Sequence, residues 1–376
     1  MKTTKPQFKI LINAYNVKSY GIKNYTKQLI VNLLKQYPEI SVCLITSNAN
    51  HSFFQNIENC SLICLPSRIK VYLKFFSIQK LLRNFSIVHS VGNYGFIFCP
   101  IPQVITIHDT YEKVCPERFS LFKRIVQSFL IKNSIKNAHG IITNSKNTLN
   151  DVKKYYPIGD KKISAIYLGT QFSINGKKTK EEIIERIECG SYIFVGTLEP
   201  GKNLRLLLEA IAIQSKKNRN VSLKIIGAYG WNQKEIYTLS SKLGIESNVS
   251  FMGKINDDEL IHEYKNARAL VLPSNYEGFG LPVIEAMACG CPVIAANNSS
   301  IPEAGGQFAL YFDNKDVNQL IEKMDFLDSH KEQVVQMVFG GYVHASNFKW
   351  EKTASETFKF YKTAALMCSN YFQETI

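Results

Sequence analysis

Short apolar, β-branched runs alternate with amphipathic stretches along almost the whole chain. In the first half the runs are Phe8–Ala14, Ser41–Thr46, Ile87–Ser90, Val104–His108, Gly140–Asn144 and Ile163–Leu168. In the second half they are Tyr192–Gly196, Ser222–Gly227, Val249–Met252, Ala269–Pro273, Pro292–Ala296 and Ala309–Phe312. Between them lie helical patterns such as Asn203–Lys217 and Asp257–Asn266, the latter opened by the capping sequence Asn256-Asp257-Asp258-Glu259. Strands separated by helices imply parallel sheets with right-handed crossovers. Two such series predict an α/β protein of two Rossmann-like, doubly wound domains, with no short-period repeat. The polar stretch Phe172–Lys180 marks the break, giving domains at 1–175 and 186–346 with a linker over 172–185. Two such domains facing each other would line a central cleft with strand C-terminal ends, where sheets of this kind bind ligands.

The length of 376 residues suits two domains, and no apolar run reaches the ~18 residues of a membrane span. The nearest, Gly95–Ile107, is broken by Pro100 and Pro102. The N-terminal residues pass from a basic tip into a strand without a small-residue cleavage site, so they do not read as a signal peptide. The net charge of +14 is uneven: residues 1–180 carry +19 and residues 181–376 carry −5. An excess of that size in one half points to an anionic partner, a membrane surface or a nucleic acid. No RRM, KH or helix-turn-helix signature supports the nucleic acid, so no specific one is expected. Two basic-aromatic stretches, Arg68–Phe85 and Arg118–Lys136, bear on the membrane. For the first, lipid contact and packing on the sheet stand equal; for the second, packing is favoured. The nine cysteines are scattered and lack zinc spacing, which suits reduced thiols in the cytoplasm and no metal.

Chemistry concentrates in Ser274–Gly306. A strand runs into Glu277-Gly278-Phe279-Gly280, Leu281-Pro282 opens a helix, and Cys289-Gly290 closes it. Free amides at such a loop and helix start attract phosphate, and glycines let the backbone approach it. Glu277 and Glu285 flank this anion site. Carboxylates there make sense as acceptors for hydroxyls on both sides of a diphosphate, as a nucleotide sugar presents them. The dehydrogenase fingerprint is absent after the first strand, Gly278-Phe279-Gly280 lacks a third glycine, and there is no Walker A loop.

The segment resembles the signature of the family-4 retaining glycosyltransferases, which have the GT-B fold. The likeness extends to Val249–Ala286, Val195–Ala210 and His108-Asp109-Thr110, and is strongest to bacterial mannosyltransferases of O-antigen and capsule assembly. It implies that Glu277 contacts the donor sugar, that the amides of Phe279, Gly280 and Leu281 meet sugar and diphosphate, and that Glu285 holds the ribose diol. Lys202 would neutralise the diphosphate, and His108 would reach the sugar near its reacting face. Gly21, in the loop before the first helix, would approach the donor phosphate or the acceptor. Gly278, Thr197 and Gly253 complete the implied donor-binding set. The resemblance also implies a C-terminal helix (347–376) crossing back to the first domain, and metal independence, in keeping with the lack of a D-x-D motif.

Two positions depart from the pattern: Thr197 and Gly201 stand where many members carry arginine. Lys202 is then the main cation of its loop, with Arg205 one turn on either compensating or facing solvent. Asp109 reads better as a turn residue than as a nucleophile, so same-face attack is expected. The implied activity is transfer of a hexose from a nucleotide sugar to a lipid-linked or oligosaccharide acceptor, at the inner face of the plasma membrane. GDP-mannose leads as donor, ahead of UDP-hexose or dTDP-rhamnose. A non-catalytic GT-B partner subunit is the alternative.

Overall fold

The computed structural model of the chain describes residues 8–65, 75–116, 120–172, 179–217, 221–228, 230 and 233–373. Much of the expected linker (173–178), part of the first basic-aromatic stretch (68–74) and the start of the second (118–119) lie outside the described residues. The chain divides into two compact units, one built from 1–169 and 349–376 and the other from 170–348.

Unit 1 holds seven strands, β1 (Phe8–Asn13), β2 (Ile40–Ser47), β3 (Cys60–Leu65), β4 (Ile87–Ser90), β5 (Gln103–Ile107), β6 (Gly140–Thr143) and β7 (Lys162–Ala165). They are ordered β3-β2-β1-β4-β5-β6-β7, every pair parallel. Unit 2 holds β8 (Tyr192–Val195), β9 (Leu223–Ile226), β10 (Val249–Gly253), β11 (Ala269–Leu272), β12 (Val293–Ala296) and β13 (Leu310–Phe312). Their order is β10-β9-β8-β11-β12-β13, again all parallel. Helices cover both faces of such sheets, so the central strands read as unbroken apolar runs rather than alternating ones. Accordingly β4, β5, β11 and β12 are buried at every position.

All twelve expected strands form, with no end displaced by more than three residues. One strand escaped the pattern: β3, CSLICL, lies at the sheet edge and is half-exposed along most of its length. The helix Asp257–Asn266 carries the full reciprocal cap between Asn256 and Glu259. The first helix begins earlier than expected, at Tyr20 with Ser19 as its cap, so Gly21 sits in a helical first turn and not in a preceding loop.

The C-terminal helix, Trp350–Gln373, belongs to unit 1. Its Phe358 meets Phe8 edge-on at 5.7 Å. Phe360 covers Gly140 so closely that a Cβ there would lie 2.6 Å from its ring, which explains a glycine at the start of a buried strand. Tyr361 is fully buried, and its hydroxyl is 2.5 Å from Nδ1 of His89 on β4. The other ring nitrogen, Nε2, meets Thr106 Oγ1 at 2.6 Å, and Tyr25 OH meets the same hydroxyl at 3.2 Å. Desolvation holds His89 neutral, its pKa pulled down to about 3.

The two basic-aromatic stretches differ: the described part of the first packs, whereas the second, for which packing was expected, is largely exposed. In the described part of the first, Ile78 and Leu82 of the helix Phe75–Leu82 are buried against Leu11, Ile45 and Val88. In the second, the helix Leu121–Asn137 buries only Ile131, Ser134 and Ile135, and its residues 121–130 are exposed or half-buried.

Replacing Tyr361 by Phe strands a buried ring nitrogen of His89 and is expected to cost about 1–3 kcal/mol of stability. Denaturant titration of the two proteins measures this, and identical midpoints would show that the hydroxyl contributes nothing.

Candidate active site

In a doubly wound sheet the strand order reverses at one point, and the loops leaving the two strands there diverge to open a crevice. In unit 2 that point is between β8 and β11. The loop after β8 makes a turn at Pro200–Lys202, and the loop after β11 carries Ser274–Gly280. Asn275 N–H donates to the carbonyl of Gly201 at 2.9 Å, tying the two loops together. Lys202 Nζ then reaches Glu277 Oε1 at 2.7 Å, both side chains being mostly shielded (16% and 11% exposed).

Four polar residues that sequence reasoning missed fix Glu277. Ser274 Oγ donates to the same Oε1 at 2.6 Å. Ser299 Oγ accepts from the Glu277 N–H at 3.0 Å, and Ser300 Oγ donates to its carbonyl at 2.8 Å. Asn298 Nδ2 donates to the carbonyl of Ser274 at 3.0 Å. The signal was the polar run Asn297-Asn298-Ser299-Ser300 directly after β12, the neighbouring strand. Both side-chain donors converge on Oε1, so among the described residues Oε2 is left as an open acceptor.

Gly280, at φ +99°, occupies the left-handed region that favours glycine, and from it the helix Leu281–Ala288 starts one residue ahead of Pro282. Its first amides have no carbonyl a turn earlier, and this end of the helix carries partial positive charge. The Phe279 ring is buried and stands 5.8 Å from Phe348. Glu285 lies on the second turn of this helix, with Tyr264 OH donating a long 3.4 Å bond to Oε2. Burial, with Asp257 nearby, pushes its pKa up to about 7. Gly253 is buried at the end of β10, its carbonyl accepting from Gly227 N–H, and Thr197 is exposed after β8. Arg205 is exposed and pairs with Glu209 along its own helix at 3.0 Å, so it does not stand in for the missing arginines.

The unit 1 candidates lie at the C-terminal edge of their own sheet. His108 follows β5 and is almost fully buried. Its Nε2–H donates to the Val91 carbonyl at 2.7 Å, which leaves Nδ1 to accept from Asn144 Nδ2 at 2.5 Å. Burial lowers its pKa to about 4, so the ring is neutral and both nitrogens are engaged. Asp109 accepts from Tyr111 N–H, as a turn residue does. Gly21 has open space where a side chain would begin.

The chain matches Glycosyl transferases group 1 over residues 177–344 and Glycosyltransferase Family 4 over 20–172. It belongs to the family-4 glycosyltransferases. An O-antigen chain mannosyltransferase B from Escherichia coli is 28% identical over 272 residues, 69% of this chain and 70% of that protein. An O-antigen chain mannosyltransferase from Salmonella typhimurium is 32% identical over 220 residues, 57% of each. A D-inositol 3-phosphate glycosyltransferase from Corynebacterium glutamicum is 26% identical over 331 residues, 80% of this chain and 78% of that protein. The solved structure of Anabaena HepE with UDP and glucose superposes with a TM-score of 0.73 at 19% identity, covering 95% of this chain and 100% of that one. WaaG, a glycosyltransferase involved in lipopolysaccharide biosynthesis, gives 0.71 at 16% identity, covering 93% and 98%. These likenesses place the glycosyltransferase in the GT-B fold.

The raised pKa of Glu285 means that between about pH 4.5 and 7 the folded glycosyltransferase keeps a proton that the unfolded chain has lost. Stability therefore falls as pH rises through that window, by up to about 3 kcal/mol from this group. Glu285→Gln should raise the melting temperature at pH 8 and leave it unchanged at pH 4. An equal shift at both pH values would show that the carboxyl is not the cause.

Proposed function

We propose that this glycosyltransferase transfers a hexose, with mannose from GDP-mannose as the first choice, to a lipid-linked glycan in bacterial surface polysaccharide synthesis. The observation that carries the reading is the Lys202–Glu277 pair at the unit 2 switch point, with Glu277 Oε2 left open. It brings a cation for a diphosphate and an acceptor for sugar hydroxyls to one place. The mannose and a surface-polysaccharide acceptor are supported by the O-antigen chain mannosyltransferase relatives. The corynebacterial relative favours a second acceptor, an inositol phosphate.

In the proposed reaction the bond between the anomeric carbon and the diphosphate loosens first. Lys202 and the amides of Gly280 and Leu281 receive the negative charge growing on the leaving group, without a metal ion. Glu277 Oε2 orients the sugar, and Glu285 the ribose. The departing phosphate takes the acceptor's proton, and attack occurs on the face it leaves, so the anomeric configuration is retained. His108 contributes as a neutral group rather than a base, its Nδ1 exchanging the Asn144 amide for a sugar hydroxyl. Gly21, in the first turn of its helix, leaves room for a phosphate or acceptor group.

Lys202→Ala is expected to lower kcat/KM by ~10²–10³. A variant within a few-fold of wild type would remove Lys202 from the mechanism. GDP should raise the melting temperature more than UDP or dTDP, since a ligand stabilises the state that binds it. Transfer by the purified chain with GDP-mannose, insensitive to EDTA, is the expected outcome. No turnover of any nucleotide sugar would favour the non-catalytic partner reading.

A further inference from the structure

We infer that the helix Leu121–Asn137 is a membrane-docking element whose outer face lies in the headgroup region of an anionic lipid bilayer. A soluble helix is ordinarily apolar on one side only. This one is apolar on two. Its inner side puts Ile131 and Ile135 into a core with Ile105, Ile107, Ile141 and Val152. Its outer side shows Leu121, Phe122, Ile125, Val126, Phe129 and Leu130 to solvent, with Phe122 78% and Phe129 63% exposed. The spacing i, i+1, i+4, i+5, i+8, i+9 makes these one continuous stripe over nearly three turns. A contiguous large apolar surface of this kind marks a contact with something other than water.

Charge selects the occupant. The helix carries Lys123, Arg124, Lys132 and Lys136 and no acid, and no acid occurs anywhere from residue 118 to 150. A symmetric contact between two copies would bring two such cationic helices together with nothing on the helix to offset them. A bilayer containing anionic lipid offers the opposite charge together with an apolar interior for the phenylalanines. With 17 residues and four cations the helix suits lying in the surface rather than crossing it. The exposed Phe98 is on a loop held to the same helix, where Gly95 N–H donates to Ser134 Oγ at 3.0 Å. The inference deepens the proposed lipid-linked acceptor, and rests on that reading only for why a membrane should be near.

The test is co-sedimentation of the full chain with phosphatidylcholine vesicles, with and without phosphatidylglycerol. Binding should require phosphatidylglycerol and weaken with salt. The double variant Phe122→Asp, Phe129→Asp should bind at least about tenfold less. So should the variant with Lys123, Arg124, Lys132 and Lys136 changed to Gln. Both should keep the wild-type melting temperature and the wild-type rate of donor hydrolysis in the absence of vesicles. Equal binding by wild type and both variants would overturn the inference, and so would binding indifferent to phosphatidylglycerol. A wild-type dimer that the aspartates dissociate would assign the stripe to a second copy instead. Donor hydrolysis, scored separately, shows whether the transferase reading stands or falls on its own.

Discussion

Parallel pairing dictates where this protein can do chemistry. A strand cannot return beside its predecessor in the same direction without a long crossover, so every strand in both sheets ends at the same edge and hands the chain to a loop there. Ser274–Gly280, Pro200–Lys202 and Asn297–Ser300 are all such loops. They are distant in sequence, yet the strand order β8-β11-β12 sets them side by side. The hydrogen bonds among Gly201, Asn275, Ser274, Asn298, Ser299, Ser300 and Glu277 are what that adjacency permits.

The charge distribution follows a division of labour. Unit 1 carries 27 Lys and Arg against 10 Asp and Glu, while unit 2, with the candidate diphosphate site, has a slight acidic excess. An anion in unit 2 would be held by one local cation and oriented amides rather than by a diffuse field. Lys202 is already paired with Glu277, so a bound diphosphate would share an existing ion pair. Glu285 presents the opposite economy: its desolvated carboxyl weakens the fold near neutral pH, in the manner of groups retained for binding.

Most of the fold was legible because buried parallel strands are written as uninterrupted apolar runs. The exception is informative. In β3 an edge position relaxes the demand for burial, and its cysteine- and serine-containing sequence gave no period to follow. At the site, Glu277 and Glu285 could be picked out because glycines and a helix start frame them, and Lys202 only through the family resemblance. Ser274, Ser299, Ser300 and Asn144 could not, since a serine or asparagine in a loop has many local uses and only the three-dimensional partner distinguishes them. His108 could be picked out by resemblance at its strand end, but its hydrogen bonds to Val91 and Asn144 could not be read, because they join separate strand ends. The exposed apolar face of Leu121–Asn137 was hidden for a related reason. Apolar periodicity shows that a side wants covering and is silent on whether the protein supplies the cover.

Unit 1 is assembled from both ends of the chain, with the whole of unit 2 inserted between them. Synthesis runs from the N-terminus, so the first 169 residues are made while Phe8, His89 and Gly140 still lack Phe358, Tyr361 and Phe360. Unit 2 is continuous and has all its residues before the closing helix is translated. The nascent chain thus completes its second domain before the helix that seals the first has been made.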